Sequence, residues 1–363
     1  MTATEDTARQ VEVSVIVPAR NEEMNLGACL ASLMSQAGVA SEVIVVDDHS
    51  TDRTPQIAHE FAGVNLIEAG PLPAGWTGKN NAVTAGARAA RGAWLLFTDA
   101  DTIHLPGSLA RALAEARKHS VDLLSYSPEQ LAVTFWELAV LPVVFRELAR
   151  QYPPSEVSDP ASPVAAANGQ YILITREAYD AVGGHAADAG NLLEDVALAR
   201  AVKSSGRKIR FRYGGDAVRT RMYRSFAALR DGWTKNLALL FPHPVRLAAW
   251  AFAEFGIALV LIAGAMSFVN GVARLPRALW FSLATAGLFF LWLRSLQRTR
   301  AAHFPTKASA AAMLGLPVFG YLLLRSVILH KLGGVSWKDR KYSSRNRESS
   351  AAPGKHPATA IGS

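Results

Sequence analysis

The chain has 363 residues, enough for one large domain or two ordinary ones. Half of the residues are hydrophobic, the formal net charge is +8, and no nucleic-acid-binding motif accompanies the basic residues, so the composition favours a membrane surface and anionic ligands over nucleic acid. The single cysteine, Cys29, excludes an intrachain disulfide and a cysteine-based metal cluster. The acidic first residues are not a secretory signal, and we therefore expect the first domain to stay in the cytosol.

Up to about residue 244 the chain alternates short apolar runs with amphipathic segments, which is the pattern of successive strands and helices. Strands are predicted at 11–17, 42–46, 64–69, 94–97, 122–126 and 167–175. Helices are predicted at 26–34, 82–90, 109–118 and 135–149. Consecutive βα units predict a mostly parallel, twisted sheet with right-handed crossovers, and hence an α/β fold. The helix at 135–149 either packs in the core or lies in the plane of a membrane.

Acidic residues follow two of these strands. Asp47 and Asp48 come at the end of the second strand, where side chains can hold a ribose or a base by hydrogen bonds. Asp99 and Asp101 come after the fourth strand and stand two residues apart, so they can converge on one divalent cation beyond the edge of the sheet. The alternatives are a simple turn for the first pair, and for the second an acidic turn that caps the next helix.

Two further positions carry charge at a predicted helix start. Lys79 ends a glycine-rich loop suited to anions, although Asn80 stands where a P-loop needs serine or threonine. Glu194 and Asp195 open an apolar-periodic helix. A solvated lysine explains the first equally well, and acids that complement a helix dipole are an ordinary explanation of the second.

Three apolar segments follow, at about 248–273, 278–293 and 308–329, and each approaches the ~20 residues that a membrane-spanning helix needs. We expect disorder at 1–10 and in part of the basic tail, 331–363. Three crossings would place this tail opposite the first domain, whereas its basic residues favour the cytosol. Pro317 interrupts the third segment. We therefore predict a multi-pass protein of the inner cell membrane with two crossings, a re-entrant third segment, and the first domain and the tail both cytoplasmic.

Four motifs taken together resemble, in order and spacing, the family 2 glycosyltransferases with a GT-A fold. They are Val-Ile-Val-Pro-Ala-Arg-Asn-Glu (15–22), Val-Val-Asp-Asp-His-Ser-Thr-Asp (45–52), Thr-Asp-Ala-Asp (98–101) and Leu-Glu-Asp-Val (193–196). The resemblance implies a GT-A nucleotide-sugar-binding domain at 11–244, followed by membrane segments at 245–330. It also implies an inverting hexosyltransferase that uses a nucleotide-sugar donor, UDP-linked in our expectation, and Mg²⁺ or Mn²⁺. The residue roles that it implies are a nucleotide pocket at Pro18, Arg20, Glu22, and Asp47 or Asp48, a sugar-nucleotide and metal site at Asp99 and Asp101, and a general base at Asp195 beside Glu194.

Further motifs resemble a membrane-bound branch that includes carotenoid (diaponeurosporenoate-type) and hopanoid-associated glycosyltransferases. They are Asn-Gly-Gln-Tyr-Ile-Leu (168–173), Gly-Gly-His (183–185), Arg-Met-Tyr (221–223), Gly-Trp-Thr-Lys-Asn (232–236) and Trp-Lys-Asp-Arg-Lys-Tyr (337–342). This branch implies a membrane-lipid acceptor and adds Lys79, Arg221, Trp233 and Lys235 to the donor site. A basic rim beside lipid headgroups explains Arg221 and Lys235 equally well. Processive synthases carry Gln-x-x-Arg-Trp where this chain reads Leu-Arg-Asp-Gly-Trp, so we expect transfer of one sugar.

Three other functions compete with this interpretation. The first is a glycosyltransferase that acts on a polyprenyl phosphate. The second is a nucleotidyltransferase on a similar sheet, but Pro-Ala-Arg-Asn-Glu is a poor match to the glycine-rich basic signature that it needs after the first strand. The third is a non-catalytic nucleotide-sugar binder at the membrane, which would be expected to lack the metal or base carboxylates that this chain retains.

Overall fold

The computed structural model describes residues 11–269, 277–337 and 340–342. Its strands are β1 (Val13–Ala19), β2 (Ser41–Asp47), β3 (Val64–Glu68), β4 (Trp94–Phe97), β5 (Thr102–His104), β6 (Leu123–Ser127), β7 (Glu129–Gln130), β8 (Ile172–Thr175), β9 (Ile209–Tyr213), β10 (Val218–Thr220), β11 (Val335–Trp337) and β12 (Arg340–Tyr342). Its helices are α1 (Leu26–Met34), α2 (Thr54–His59), α3 (Gly78–Ala89), α4 (Ser108–Lys118), α5 (Phe135–Gln151), α6 (Pro154–Ser158), α7 (Arg176–Ala181), α8 (Glu194–Ser204), α9 (Phe226–Leu240), α10 (Pro244–Val269), α11 (Arg277–Ala301) and α12 (Ala308–Leu332). A 3₁₀ helix, Gly184–Asp188, precedes α8.

The main sheet has seven strands in the order β3-β2-β1-β4-β8-β6-β9, and β8 alone runs antiparallel to its neighbours. This arrangement confirms the predicted α/β fold with a mostly parallel sheet. Helices cover both faces, so the central strands are apolar along their whole length, as buried parallel strands are. Because β1, β2 and β4 are parallel, their carboxyl ends meet at one edge of the sheet, and the loops that follow them converge there.

One strand is shorter than its apolar run predicts. The run at 167–175 becomes a strand only at Ile172. Before it the chain turns at Asn168, whose carbonyl accepts from the Tyr171 backbone N–H at 2.9 Å and whose side chain accepts from the Gln170 backbone N–H at 3.0 Å. An asparagine side chain that bonds its own backbone two residues on favours a turn over a ladder. The turn leaves Gly169 at the carboxyl edge of the sheet, facing α8.

A separate hydrophobic core joins the first domain to the apolar C-terminal part. It contains buried residues of α5, α9, α10 and α12, among them Val143, Leu237, Ala251 and Leu322. The helix predicted at 135–149 is therefore packed against protein as α5 from Glu137 to Glu147, while Phe135 and Trp136 at its start are exposed. Helix α12 is continuous through Pro317 and does not break there.

Three helices are long and apolar enough to cross a membrane: Pro244–Met266, Leu279–Ala301 and Ala308–Leu332. They agree with the three predicted apolar segments. They differ in burial, since 44% of the α12 segment is buried inside the protein against 17% of each of the other two. Helix α12 therefore uses much of its apolar surface to pack on α5 and α9, whereas α10 and α11 present most of theirs outward.

Helices α5 and α12 approach each other so closely at Gly315 that a larger side chain there should disturb their packing. A Cβ atom on Gly315 would lie 1.8 Å from the Ala139 carbonyl oxygen, so the two backbones touch. We expect Gly315→Ala to force the helices apart and to cost about 1–3 kcal/mol of folding free energy. On α10, a Cβ atom on Gly256 would meet nothing within 4 Å, so Gly256→Ala is the matched control and should be neutral or stabilising by ~0.5–1 kcal/mol. Thermal unfolding of the full chain in detergent measures both, and equal midpoints for the two variants would contradict the close contact.

Candidate active site

A cavity of about 690 Å³ opens at the carboxyl edge of the sheet. Its wall is formed by the loops after β1, β2 and β4, the start of α3, the turn before β8, the start of α8, and parts of α5 and α9. Of the residues proposed from the sequence, those that line it are Pro18, Arg20, Glu22, Asp48, Lys79, Asp99, Asp101, Glu194, Asp195, Arg221, Trp233 and Lys235. Asp47 does not. The topology of the sheet thus brings twelve widely separated positions to one place.

The loops after β1 and β2 are held together by hydrogen bonds. Arg20 Nη1 donates to the Asp48 carbonyl at 2.6 Å, and the Asn21 side chain accepts from the Thr51 backbone N–H at 2.8 Å. Asn21 and His49 adopt positive φ angles, which asparagine tolerates better than most residues. These bonds fix the loops that form this end of the cavity.

The structure separates the two adjacent acids that the sequence could not distinguish. Asp47 accepts from the Ser50 backbone N–H at 3.2 Å, so its carboxylate stabilises the turn after β2. Asp48 instead turns its carboxylate into the cavity, although only 7% of it is exposed. Of the two, Asp48 is the acid that a nucleotide in the cavity can reach.

Lys79 joins two parts of the site. Its Nζ lies 2.7 Å from Asp99 Oδ1 and 2.7 Å from Glu194 Oε1. Burial disfavours a charged lysine, but the two carboxylates outweigh it and raise the pKa of Lys79 well above its usual value. Burial likewise favours a neutral Glu194, but the charges of Lys79 and Lys235 hold the pKa of Glu194 below its usual value. Lys79 and Glu194 therefore stay ionised at neutral pH.

The pKa of Asp195 is shifted in the direction opposite to that of Glu194. Burial, and next the negative charge of Glu194, raise the pKa of Asp195 to about 6. Its two oxygens accept from backbone N–H groups, Oδ2 from Gly169 at 2.9 Å and Oδ1 from Val196 at 2.8 Å. A carboxylate that is fixed in direction, lies in a cavity and has a pKa near neutrality is suited to accept a proton.

Asp99 and Asp101 suit a cation that is shared with a phosphate ligand. Both line the cavity, and the described residues contain no cluster of three or more His, Cys, Asp or Glu side chains that would hold a metal without further ligands. Mg²⁺ in phosphate-transfer sites takes one or two carboxylates and completes its shell with substrate oxygens and water. The donor set of two carboxylates fits this pattern, with Lys79 occupying one oxygen of Asp99.

The remaining predicted residues lie on α9 and just before it. Arg221 donates to the buried Glu137 at 2.9 and 3.2 Å, and Glu137 in turn caps α5 together with Thr134. Trp233 lines the cavity with 3% of its surface exposed, and Lys235 lies near Glu194. Arg221 is therefore part of an ion pair that ties α5 to the cavity wall, while Trp233 and Lys235 bound the cavity between its charged and apolar ends.

Away from the carboxylates the cavity becomes apolar. Its wall there consists of side chains from α5, β9 and the ends of α9 and α11, including Phe145, Leu148, Phe211, Leu240 and Phe304. These residues lie where the apolar helices leave and rejoin the first domain. The cavity therefore has a charged end at the sheet and an apolar end where α9 and α11 end.

Two contributors to the site were not assigned a role from the sequence. Gly169 donates to Asp195 through its backbone, and Arg340 of β12 reaches the Asp48 carboxylate. Both positions lie in motifs that supported the family resemblance, at 168–173 and 337–342. Those motifs indicated relatedness, but no local pattern indicated that residue 340 would return to residue 48.

Comparison with known proteins shows that the sequence is similar to glycosyltransferases. Residues 14–174 match the family described as Glycosyl transferase family 2. The chain is 27% identical over 345 residues to the 4,4'-diaponeurosporenoate glycosyltransferase of Staphylococcus aureus strain USA300, covering 91% of this chain and 88% of that one. The enzyme of the same name from strain MRSA252 is 27% identical over 342 residues, with the same coverage. A mannosyltransferase of Pyrobaculum calidifontis, solved with GDP-Man and Mn²⁺, shares the fold with a TM-score of 0.51 and 19% identity, covering 88% of this chain and 86% of that one.

Proposed function

This chain contains a family 2 glycosyltransferase domain with the GT-A fold, and we propose that it transfers a single sugar, with inversion, from a nucleotide-sugar donor to a membrane lipid. One observation carries the proposal: a fixed carboxylate, Asp195, lies between the charged end and the apolar end of one cavity. A donor enters the charged end and a lipid enters the apolar end, so the reacting groups meet at Asp195.

The donor in this proposal is a UDP-sugar. Its base and ribose lie against Pro18, Glu22 and Asp48, and its diphosphate lies near Lys79 and the start of α3. Helix N-termini and lysines stabilise phosphate groups, and the developing charge on the leaving diphosphate needs such cations. A bound Mg²⁺ or Mn²⁺ at Asp99 and Asp101 would add Lewis-acid stabilisation of the same leaving group.

The acceptor reacts from the side of Asp195. In an inverting transfer the attacking oxygen approaches the anomeric carbon opposite the leaving group, and a base removes its proton as the new bond forms. The Asp195 carboxylate is held in one orientation by Gly169 and Val196, and it lies next to Glu194, which pairs with Lys79.

The acceptor proposed here is a long terpenoid lipid such as a carotenoid or a hopanoid. The apolar wall of Phe145, Leu148, Leu240 and Phe304 is suited to a hydrocarbon chain. The S. aureus relatives are named for diaponeurosporenoate, and their similarity to this chain extends through the apolar helices. A polyprenyl phosphate, the alternative acceptor, would place its hydrocarbon tail against the same wall, so the two acceptors differ in the head group that reaches Asp195.

The general base gives a direct test of the mechanism. We expect Asp195→Asn to lower turnover of a hydroxyl-bearing lipid acceptor by about 10²-fold or more while leaving donor binding within twofold. Because the base must be deprotonated and its pKa is about 6, kcat/KM of the native enzyme should fall about tenfold per pH unit below pH 6. Steady-state kinetics and titration with UDP measure the two quantities.

The control for this test is Asp180→Asn, an equal change of charge at an exposed position on α7. A carboxylate acceptor needs no base because it is already ionised at neutral pH, so Asp195→Asn should affect it far less than a hydroxyl acceptor. Equal loss of donor binding and turnover in Asp195→Asn would make Asp195 a structural residue and contradict its role as a base.

Chelation and a substitution at Asp101 test whether the Asp99 and Asp101 pair acts through a metal. We expect EDTA to abolish transfer by the native protein, and Mg²⁺ or Mn²⁺ to restore it. Asp101→Ala should abolish transfer in the presence of either metal, because it removes one of two proposed carboxylate ligands. The same metals should strengthen UDP binding to the native protein and not to Asp101→Ala. Undiminished transfer in EDTA would show that the pair does not act through a metal.

We further propose that the chain crosses the membrane twice, through α10 and α11, and that α12 lies against the first domain without crossing. The two ends of α12 both support this topology. Just before its first residue, the Phe304 ring packs against the Phe145 ring of α5, with 6.0 Å between the ring centroids. Near its last residues, His330 lies 2.8 Å from the Lys235 carbonyl.

Cysteine labelling tests the topology. Burial raises the pKa of Cys29 to about 12, so the native thiol is inert and single cysteines can be added to the native sequence. We expect a membrane-impermeant maleimide to label Asn270→Cys, between α10 and α11, from one side of the membrane, and Lys307→Cys and Leu332→Cys from the other. Labelling of Lys307→Cys and Leu332→Cys from opposite sides in oriented vesicles would show that α12 crosses.

A further inference from the structure

The chain returns to the cavity after its last apolar helix. Gly333 adopts a left-handed conformation that ends α12, and the Gly334 N–H closes the helix on the Leu329 carbonyl at 3.0 Å. Strand β11 then pairs antiparallel with β12, with residues 335–337 opposite residues 340–342. This hairpin brings Arg340 to the charged end of the cavity, 292 positions away from its partner in the sequence.

The Arg340 guanidinium donates two hydrogen bonds to the Asp48 carboxylate. Nη2 donates to Oδ1 at 2.9 Å, and Nη1 donates to Oδ2. The contact is protected, since 17% of the Arg340 side chain and 7% of the Asp48 side chain are exposed. Bidentate geometry of this kind is stronger and more directional than a surface ion pair.

The same guanidinium lies across the start of α3. A Cβ atom on Gly78 would be 1.6 Å from Arg340 Nη1 and 2.4 Å from Asp48 Oδ2, so only glycine leaves room for the pair there. Lys79 follows directly and also lines the cavity. The first turn of α3 therefore faces the cavity with two cationic side chains beside it, Lys79 from the helix and Arg340 from the C-terminal hairpin.

Charge balance indicates what this arrangement recognises. A nucleoside diphosphate beside an uncompensated Asp48 would meet a buried negative charge of its own sign. Arg340 neutralises that charge, and a guanidinium has five N–H donors, of which the two bonds to Asp48 use two. Each carboxylate oxygen also has a second lone pair, so Asp48 can still accept from a ribose or a base.

We propose that Arg340 is a donor-binding residue that contacts the diphosphate, so that the C-terminal hairpin completes the nucleotide-sugar site. The inference rests on the proposed function and adds a residue and a segment to it. The helix start and Lys79 then bind the phosphates from one side and Arg340 binds them from the other, while Asp48 orients the guanidinium.

Titration of the full-length protein in detergent with UDP and with uridine tests the proposal. We expect Arg340→Gln to weaken UDP binding at least tenfold and to change uridine binding less than twofold, because uridine has no phosphates. Arg340→Lys should recover part of the UDP affinity, since it keeps the charge and loses the bidentate geometry. The control is Arg117→Gln, which removes one charge from the ion pair with Glu12 at the opposite edge of the sheet and should leave both affinities unchanged.

Other outcomes overturn the inference in distinguishable ways. Equal weakening of UDP and uridine would mean that Arg340 only holds the cavity in shape. Unchanged UDP binding, with a lower thermal midpoint, would mean that the pair only anchors the hairpin. Stronger UDP binding in Arg340→Gln would mean that the arginine competes with the donor. If the native protein binds none of UDP, GDP and dTDP, the proposed function itself fails, whereas native binding that Arg340→Gln retains refutes this inference alone.

Discussion

The site depends on the ammonium group of Lys79, which is shared between Asp99 and Glu194 at 2.7 Å each. These acids come from separate parts of the fold, one after β4 and one at the start of α8. Without a cation between them, the two carboxylates would repel each other, and burial would favour a neutral Glu194. The bridge keeps Glu194 ionised. Burial, and next the charge of Glu194, raise the pKa of Asp195 to about 6, although Lys79 by itself lowers the pKa of both acids.

Much of this arrangement followed from the sequence because chain direction constrains it. Apolar runs that end in acids predict strands, and parallel strands must bring their carboxyl ends to the same edge. Asp48, Asp99 and Asp101 therefore lie in the cavity because each follows a parallel strand, and the periodicity of the apolar residues reveals those strands. The turn before β8 was less visible, because an apolar run extended through it, and only the side chain of Asn168 bonding its own backbone shows where the strand begins.

Other features depend on contacts that no local pattern records. Asp47 and Asp48 are adjacent and chemically identical. The Ser50 N–H donates to Asp47 and Arg340 donates to Asp48, and these contacts decide which of the two acids turns into the cavity. Pro317 suggested a broken segment, but α12 continues through it because packing on α5 and α9 compensates for one missing backbone bond. The hairpin that carries Arg340 follows an apolar helix, so its return to the sheet depends on where that helix packs.

Helix α12 contacts elements that form both ends of the cavity in which the proposed reaction takes place. Its middle touches the α5 backbone at Gly315, and α5 carries Phe145 and Leu148 of the apolar wall. Its last turn leads into the hairpin that carries Arg340 to the donor end. One rigid helix therefore fixes the lipid wall and the nucleotide wall relative to each other. Since the apolar wall begins where α9 and α11 end, an acceptor that remains in the bilayer reaches Asp195 only through its terminal group, which favours long lipids that carry a single reactive end.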